Sequence, residues 1–185
     1  MAATAPVSQT VGLWAIDSGH SSVEFSVRHM MVSTVKGHFG KVEGTMQVDA
    51  NDHAASIVEA KVDVSSITTR DENRDGHLKS ADFFNAEQYP TMTFKGTKNE
   101  RVDDTHYRVT GNLTIRDVTK PVIFTTEYEG EVKDMYGKQR AAYTAETEIN
   151  RKDYGLTWNA ALEGGGVVVS EKVKITLNIA LVHQG

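Results

Sequence analysis

The chain has 185 residues, with 25 acidic against 20 basic side chains and a formal net charge of −5. That length fits one domain with its own core, and the weakly acidic balance disfavours nucleic acid as a partner. With no cysteine in the sequence, thiol catalysis, disulfides, thiolate zinc sites, iron–sulfur clusters and c-type haem attachment are excluded.

The first residues, 1–10, are small, polar and aperiodic and are expected to form a flexible tail, leaving one domain over 11–185. They lack the basic start and the apolar run of roughly 7–15 residues that a secretory signal needs. No later stretch approaches the roughly 20 apolar residues of a membrane helix. The expected protein is cytoplasmic, without stable insertion into a membrane.

Most of the chain alternates with period two, the signature of half-buried strands. Val23, Phe25 and Val27 oppose Glu24, Ser26 and Arg28. Val58, Ala60, Val62 and Val64 oppose Glu59, Lys61 and Asp63, after a turn signal at Ala50-Asn51-Asp52-His53. The pattern then breaks over 66–90. Thr69 and Glu72 have the spacing of a capping box, in which each side chain meets a free backbone N–H, and predict a helix over about 70–79. Gly76 weakens it; Ser80 or Asp82 caps a second turn through Phe84, and Pro90 restricts Tyr89 to an extended shape.

Asn99 to Asp104 separates two further strands. Tyr107, Val109, Leu113 and Ile115 share one face, with Gly111 between them, and Val118-Thr119-Lys120-Pro121 reads as a turn. Asp134-Met135-Tyr136-Gly137 marks another, and Tyr143, Ala145, Thr147 and Ile149 form the next inward face. Residues 151–166 are irregular, with Tyr154, Leu156, Trp158 and the mobile-loop glycines 164–166. The last strand is the clearest: Val173, Ile175, Leu177, Ile179 and Leu181 on one side, lysines and polar residues on the other. Short connections imply antiparallel neighbours. The expected class is all-β, an up-and-down barrel of about eight strands with one helical segment around 70–85.

Catalytic motifs are absent. The seven histidines include no HExxH and no i, i+4 pair, so structural histidines are expected and no metal site. Arg74-Asp75-Gly76-His77 places acid–base groups together without a nucleophile, and the favoured role for Arg74 and Asp75 is to anchor the helix to the barrel. No serine lies in a G-x-S-x-G elbow, and the glycines 164–166 lack the Lys-Ser/Thr of a phosphate loop. What remains is an apolar interior. Gly44, Ala60, Gly96, Gly111 and Ala145 beside Phe25, Met46, Phe94 and Phe124 either leave a cavity or let the strands coil tightly. Met30 and Met31 are either adaptable lining at a mouth or a surface loop.

Four blocks in this order resemble the YceI-like family, over about Trp14 to Val182. They are Trp14-Ala15-Ile16-Asp17 with His20-Ser21, Phe25-Ser26-Val27-Arg28-His29, Gly37-His38-Phe39 and Gly44; Arg74-Asp75-Gly76-His77-Leu78 with Asp82-Phe83-Phe84 and on through Tyr89-Pro90 to Phe94; Gly111-Asn112-Leu113-Thr114-Ile115 through Pro121-Val122; and Ile149-Asn150-Arg151-Lys152-Asp153-Tyr154-Gly155-Leu156 with Trp158. The sequence departs from the family at Asp117, where relatives usually have glycine, and at Tyr154, where many have phenylalanine.

The resemblance implies an extended eight-stranded lipocalin-like barrel with an apolar tunnel. It implies an amphiphilic isoprenoid as ligand: a polyprenyl quinone, its precursor or a polyprenyl phosphate. No other cofactor and no catalysis are expected, and a homodimer is. The expected lining is Val23, Phe25, Val27, Phe39, Val42, Met46, Phe84, Phe94, Leu113, Phe124, Tyr143, Tyr154 and Trp158, with Arg28, His29 and Arg74 meeting a polar head at the mouth. The alternative is a lipid-modifying enzyme using His77, Asp75 or His29 at that mouth.

Overall fold

The computed structural model describes residues 9–49 and 55–185. The turn expected at 50–53 and the tail over 1–8 lie outside the described residues. Eleven strands run in chain order: β1 (Gly12–Ile16), β2 (Ser22–His29), β3 (Ser33–Phe39), β4 (Val42–Val48), β5 (Ile57–Asp63), β6 (Ile67–Thr68), β7 (Thr91–Arg101), β8 (His106–Ile115), β9 (Val118–Lys133), β10 (Gln139–Asn150) and β11 (Val169–His183). Among the described residues one α-helix, α1 (Glu72–Lys79), lies between β6 and β7.

All pairings between these strands are antiparallel. The order β1-β4-β5-β7-β8-β9-β10-β11 returns to β1, closing an eight-stranded barrel. Closure rests on Trp14 opposite both Met46 and His183. The sheet forks at β11. Its C-terminal part pairs β1, and Val169 to Asn178 pairs β2, which carries β3 and β6 with it. The break between β1 and β2 is a 3-10 turn over Ser18–His20, held by the Asp17 carboxylate accepting from Gly19 N–H at 3.1 Å.

Bulges help the sheet curl, since an extra residue on one strand bends it and sharpens its twist. The β7–β8 ladder shifts between Gly96 and Lys98, and the β9–β10 ladder between Ala142 and Tyr143. Some glycines admit aromatic rings. A Cβ at Gly111 would lie 2.3 Å from the Phe94 ring, and one at Gly37 2.4 Å from the Phe25 ring.

Three local expectations are corrected. The helix cap is Asp71, whose side chain accepts from Arg74 N–H; Thr69 bonds Asp75 instead. Thr69 sits three residues before the helix begins, so it cannot reach the first free N–H groups. The turn between β8 and β9 is Arg116-Asp117, and Val118 to Pro121 already belong to β9. Pro121 is tolerated because β10 joins β9 only from Thr125, so proline lies where one edge is unpaired. The left-handed residue of this turn is Arg116, with φ 56°, so Asp117 does not occupy the position that favours glycine. The β7–β8 ladder extends to Arg101 opposite Tyr107, leaving a shorter turn than Asn99 to Asp104.

Two clusters form the core. At the helix end Phe39, Val42, Val64, Ile67, Phe83, Ile115, Tyr154 and Leu156 pack together. At the other end Trp14, Met46, Val48, Tyr128, Ala141 and Leu181 do so. Ile16 packs against both.

Candidate functional site: the barrel cavity

Between the clusters lies a cavity of about 250 Å³. Its walls are the inward faces of the strands. Val173, Ile175, Leu177, Ile179 and Leu181 come from β11, Tyr107, Val109, Leu113 and Ile115 from β8, and Tyr143, Ala145 and Ile149 from β10. A closed barrel alternates side chains in and out, so these period-two faces become one apolar wall. Small residues serve two purposes here. Ala60 and Ala145 leave space, whereas Gly111 and Gly37 are covered by Phe94 and Phe25.

Eleven of the sixteen expected site residues line the cavity: Val23, Phe25, Phe39, Val42, Met46, Phe84, Phe94, Leu113, Phe124, Tyr143 and Tyr154. Five do not: Val27, Arg28, His29, Arg74 and Trp158. Arg28 is exposed and donates to Thr34 Oγ1 and to the Met31 carbonyl. His29 ends β2, and Met30 and Met31 beyond it form an exposed hairpin tip. Arg74 donates to the hydroxyl and carbonyl of Thr69, at 2.8 and 2.9 Å, while the Asp75 carboxylate accepts from Thr69 N–H and Oγ1. These two thus clamp the helix start to Thr69, the residue that follows β6, the anchoring role expected of them. Trp158 packs against His77 and Phe83 instead of the cavity.

The helix end is closed by apolar groups around one buried cation. Arg151 begins a 3-10 turn and is 4% exposed. Its guanidinium donates to the carbonyls of Leu156, Trp158, Val169 and Ser170, fixing both ends of the irregular loop. Burial lowers its pKa. Tyr154 takes its place in this wall, and burial pushes its phenol up to about 12. His77 bonds Asp82 at 2.9 Å and lies edge-on to Phe83 and Trp158.

The opposite end carries the polar wall: Gln9, Ser56, Asn99, Tyr107, Thr126, Tyr128 and Tyr143. Gln9 and Thr10, expected in the tail, are docked there. Gln9 is buried and accepts from the Tyr143 hydroxyl, and Thr10 bonds Glu131. Burial, helped by Glu131, pushes the Tyr128 and Tyr143 phenols far above their ordinary value. Sequence reasoning missed Gln9 because an aperiodic tail carries no pattern. Most other missed lining residues lie on faces whose alternation was already legible, the last strand above all.

Among the described residues no three His, Asp or Glu side chains converge as a metal site would require. No helix among them is long and apolar enough to cross a membrane.

A closed antiparallel barrel around an apolar cavity, with a helical segment packed at one end, defines a lipocalin-like architecture. The YceI-like domain matches residues 14–181, and the chain belongs to that family. It is 40% identical over 162 residues to UPF0312 protein SA2479 of Staphylococcus aureus strain N315, covering 87% of this chain and 92% of that protein. Among solved structures it is similar to BcnA of Burkholderia cenocepacia, with a TM-score of 0.78 at 20% identity over 89% of this chain and 98% of that one. It is also similar to a polyisoprenoid binding domain from Saccharophagus degradans, with a TM-score of 0.70 at 13% identity over 92% of this chain and 98% of that one. At such identities these two likenesses concern the fold.

Proposed function

We propose that this protein binds an amphiphilic isoprenoid lipid in the barrel cavity and carries or stores it without catalysis. The observation that carries the reading is the cavity itself: a predominantly apolar wall to which every strand of the closed barrel contributes, β1 through Ile16. An isoprenoid chain is driven into such a space by its own hydration, at about 25 cal/mol per Å² buried. The Saccharophagus neighbour, described as a polyisoprenoid binding domain, supports the same class of ligand. The apolar stretch of the wall offers no directional bonds, which favours loose selectivity along the chain. The enzymatic alternative finds less support. His77, Asp75 and His29 do not line the cavity, and Asp75 and His77 are engaged by Thr69 and Asp82.

The test is organic extraction of natively purified protein followed by mass spectrometry. The expected result is an isoprenoid or other long-chain amphiphile in stoichiometric amount. Ala145→Phe, which fills the cavity from β10, is expected to leave the protein folded and depleted of it. A wild-type protein that yields no lipid and takes up no added polyprenyl quinone would sink the reading.

A further inference from the structure

The two ends of the cavity differ in chemistry, and this bears on the head of whatever chain it holds. Gln9 is 6% exposed, lines the cavity and accepts from the Tyr143 hydroxyl through Oε1. Its Nε2 is buried and has no hydrogen-bond partner among the described residues. Asn99 lines the same cavity. Its Nδ2 donates to the Ser56 carbonyl at 3.2 Å, and its Oδ1 is likewise buried without a partner among the described residues. Buried polar atoms are nearly always satisfied, so a free donor and a free acceptor on one cavity wall point to a group that binds there.

The charges around this wall exclude one kind of head. Glu131 lies behind it, accepting from Thr10, Tyr128 and Gln139. Among the described residues Arg151 is the only cation lining the cavity; it belongs to the helix end, and its guanidinium is engaged by four carbonyls. A phosphate placed beside Gln9 would therefore be desolvated next to a carboxylate with no countercharge. The phenols of Tyr128 and Tyr143 stay protonated and donate to Glu131 and to Gln9 Oε1, so they add no charge to this wall. We propose that the wall formed by Gln9, Asn99 and Tyr143 is a subsite for an uncharged, hydrogen-bonding head group, a ring bearing carbonyl or hydroxyl oxygens, with its apolar chain running toward the helix end. The subsite rests on the carrier reading and selects, within it, quinone-like or phenolic heads over polyprenyl phosphates.

The experiment uses delipidated full-length protein and three probes with one prenyl chain: a benzoquinone head, a diphosphate head and the bare hydrocarbon. Affinities are read by calorimetry. The quinone is expected to bind about tenfold more tightly than the bare chain, the increment of one or two buried hydrogen bonds, and more tightly than the diphosphate. Gln9→Leu and Asn99→Leu are each expected to reduce the quinone advantage severalfold while leaving the bare chain unchanged. Tyr143→Phe, which keeps the ring but removes the hydroxyl that holds Gln9 Oε1, should lower the quinone advantage in the same way. A diphosphate that binds as well as the quinone, or variants that weaken all three probes alike, would overturn the subsite and leave the carrier reading standing. Failure of all three probes to bind would overturn both.

Discussion

The two ends of the barrel are closed by different physics. The helix end is a plug of aromatic and aliphatic side chains, tied down by an arginine that satisfies carbonyls. The opposite end is built around Trp14, which is 0% exposed, and is fastened by polar contacts: Trp14 Nε1 to the Thr10 carbonyl, Tyr143 to Gln9, and Arg140 bridging Asp17 and Asp134. An apolar plug has no direction and holds through area, whereas a polar closure holds only while each partner is present and suitably ionised. The polar end is thus the one expected to open more readily and to discriminate among head groups.

Substitutions at matched positions can break that comparison. Trp14→Ala should have the largest effect, about 3–5 kcal/mol in urea unfolding, because it empties a fully enclosed site. Trp158→Ala, on the partly exposed face of the other end, should cost about 1 kcal/mol. Equal losses would show that the ends are not energetically distinct.

Arg151→Met should follow, at about 3 kcal/mol, since it strips buried carbonyls of their donors. Hydrogen exchange should then accelerate over 156–170 and leave β1 unaffected; uniform acceleration would mean that Arg151 supports the whole barrel. Thr69→Val should cost about 1–2 kcal/mol by removing the hydroxyl that donates to Asp75 and accepts from Arg74, while the backbone bonds of residue 69 to both remain. Its effect should be confined to α1, as read by amide protection there.

The smallest expected effects come from pH. Backbone N–H of Thr105, then the His106 ring, hold the Asp103 carboxyl at about 2, and Asp103 in return raises His106 above its ordinary 6.5. The Asp103 contribution is complete above the unfolded value of about 3.9 and is lost as pH falls toward 2. The His106 contribution has the opposite sign, complete below its unfolded pKa and lost as pH rises through the raised one. Asp17 and Asp134 are also held low, by His20 and Arg140 first among their partners, and likewise lose their contribution in acid. NMR titration checks this directly: Asp103→Asn should return the His106 midpoint to the ordinary histidine range. An unchanged midpoint would assign the shift to Glu127 and Glu129.

Alternation alone made the barrel legible. Val173 to Leu181, Tyr107 to Ile115 and Tyr143 to Ile149 could be sorted into faces before any fold was known, because a strand places every second side chain on one side. The break in alternation and the Thr69–Glu72 spacing marked the helical segment, and the family blocks added the apolar tunnel. The head-group candidates were not legible. Arg28, His29 and Arg74 have suitable chemistry, but a polar side chain carries no local sign of whether its face points into the barrel.

What the sequence by itself determined is local: period-two faces and turn positions such as Asp134 to Gly137. Tertiary structure decided the rest. Whether small residues leave a void depends on which rings reach them across strands: Phe94 covers Gly111, whereas Ala145 faces the cavity. The docking of Gln9 at the wall depends on Tyr143, 134 positions away. A contact of that separation leaves no periodic trace in the chain, because it exists only once the barrel has closed.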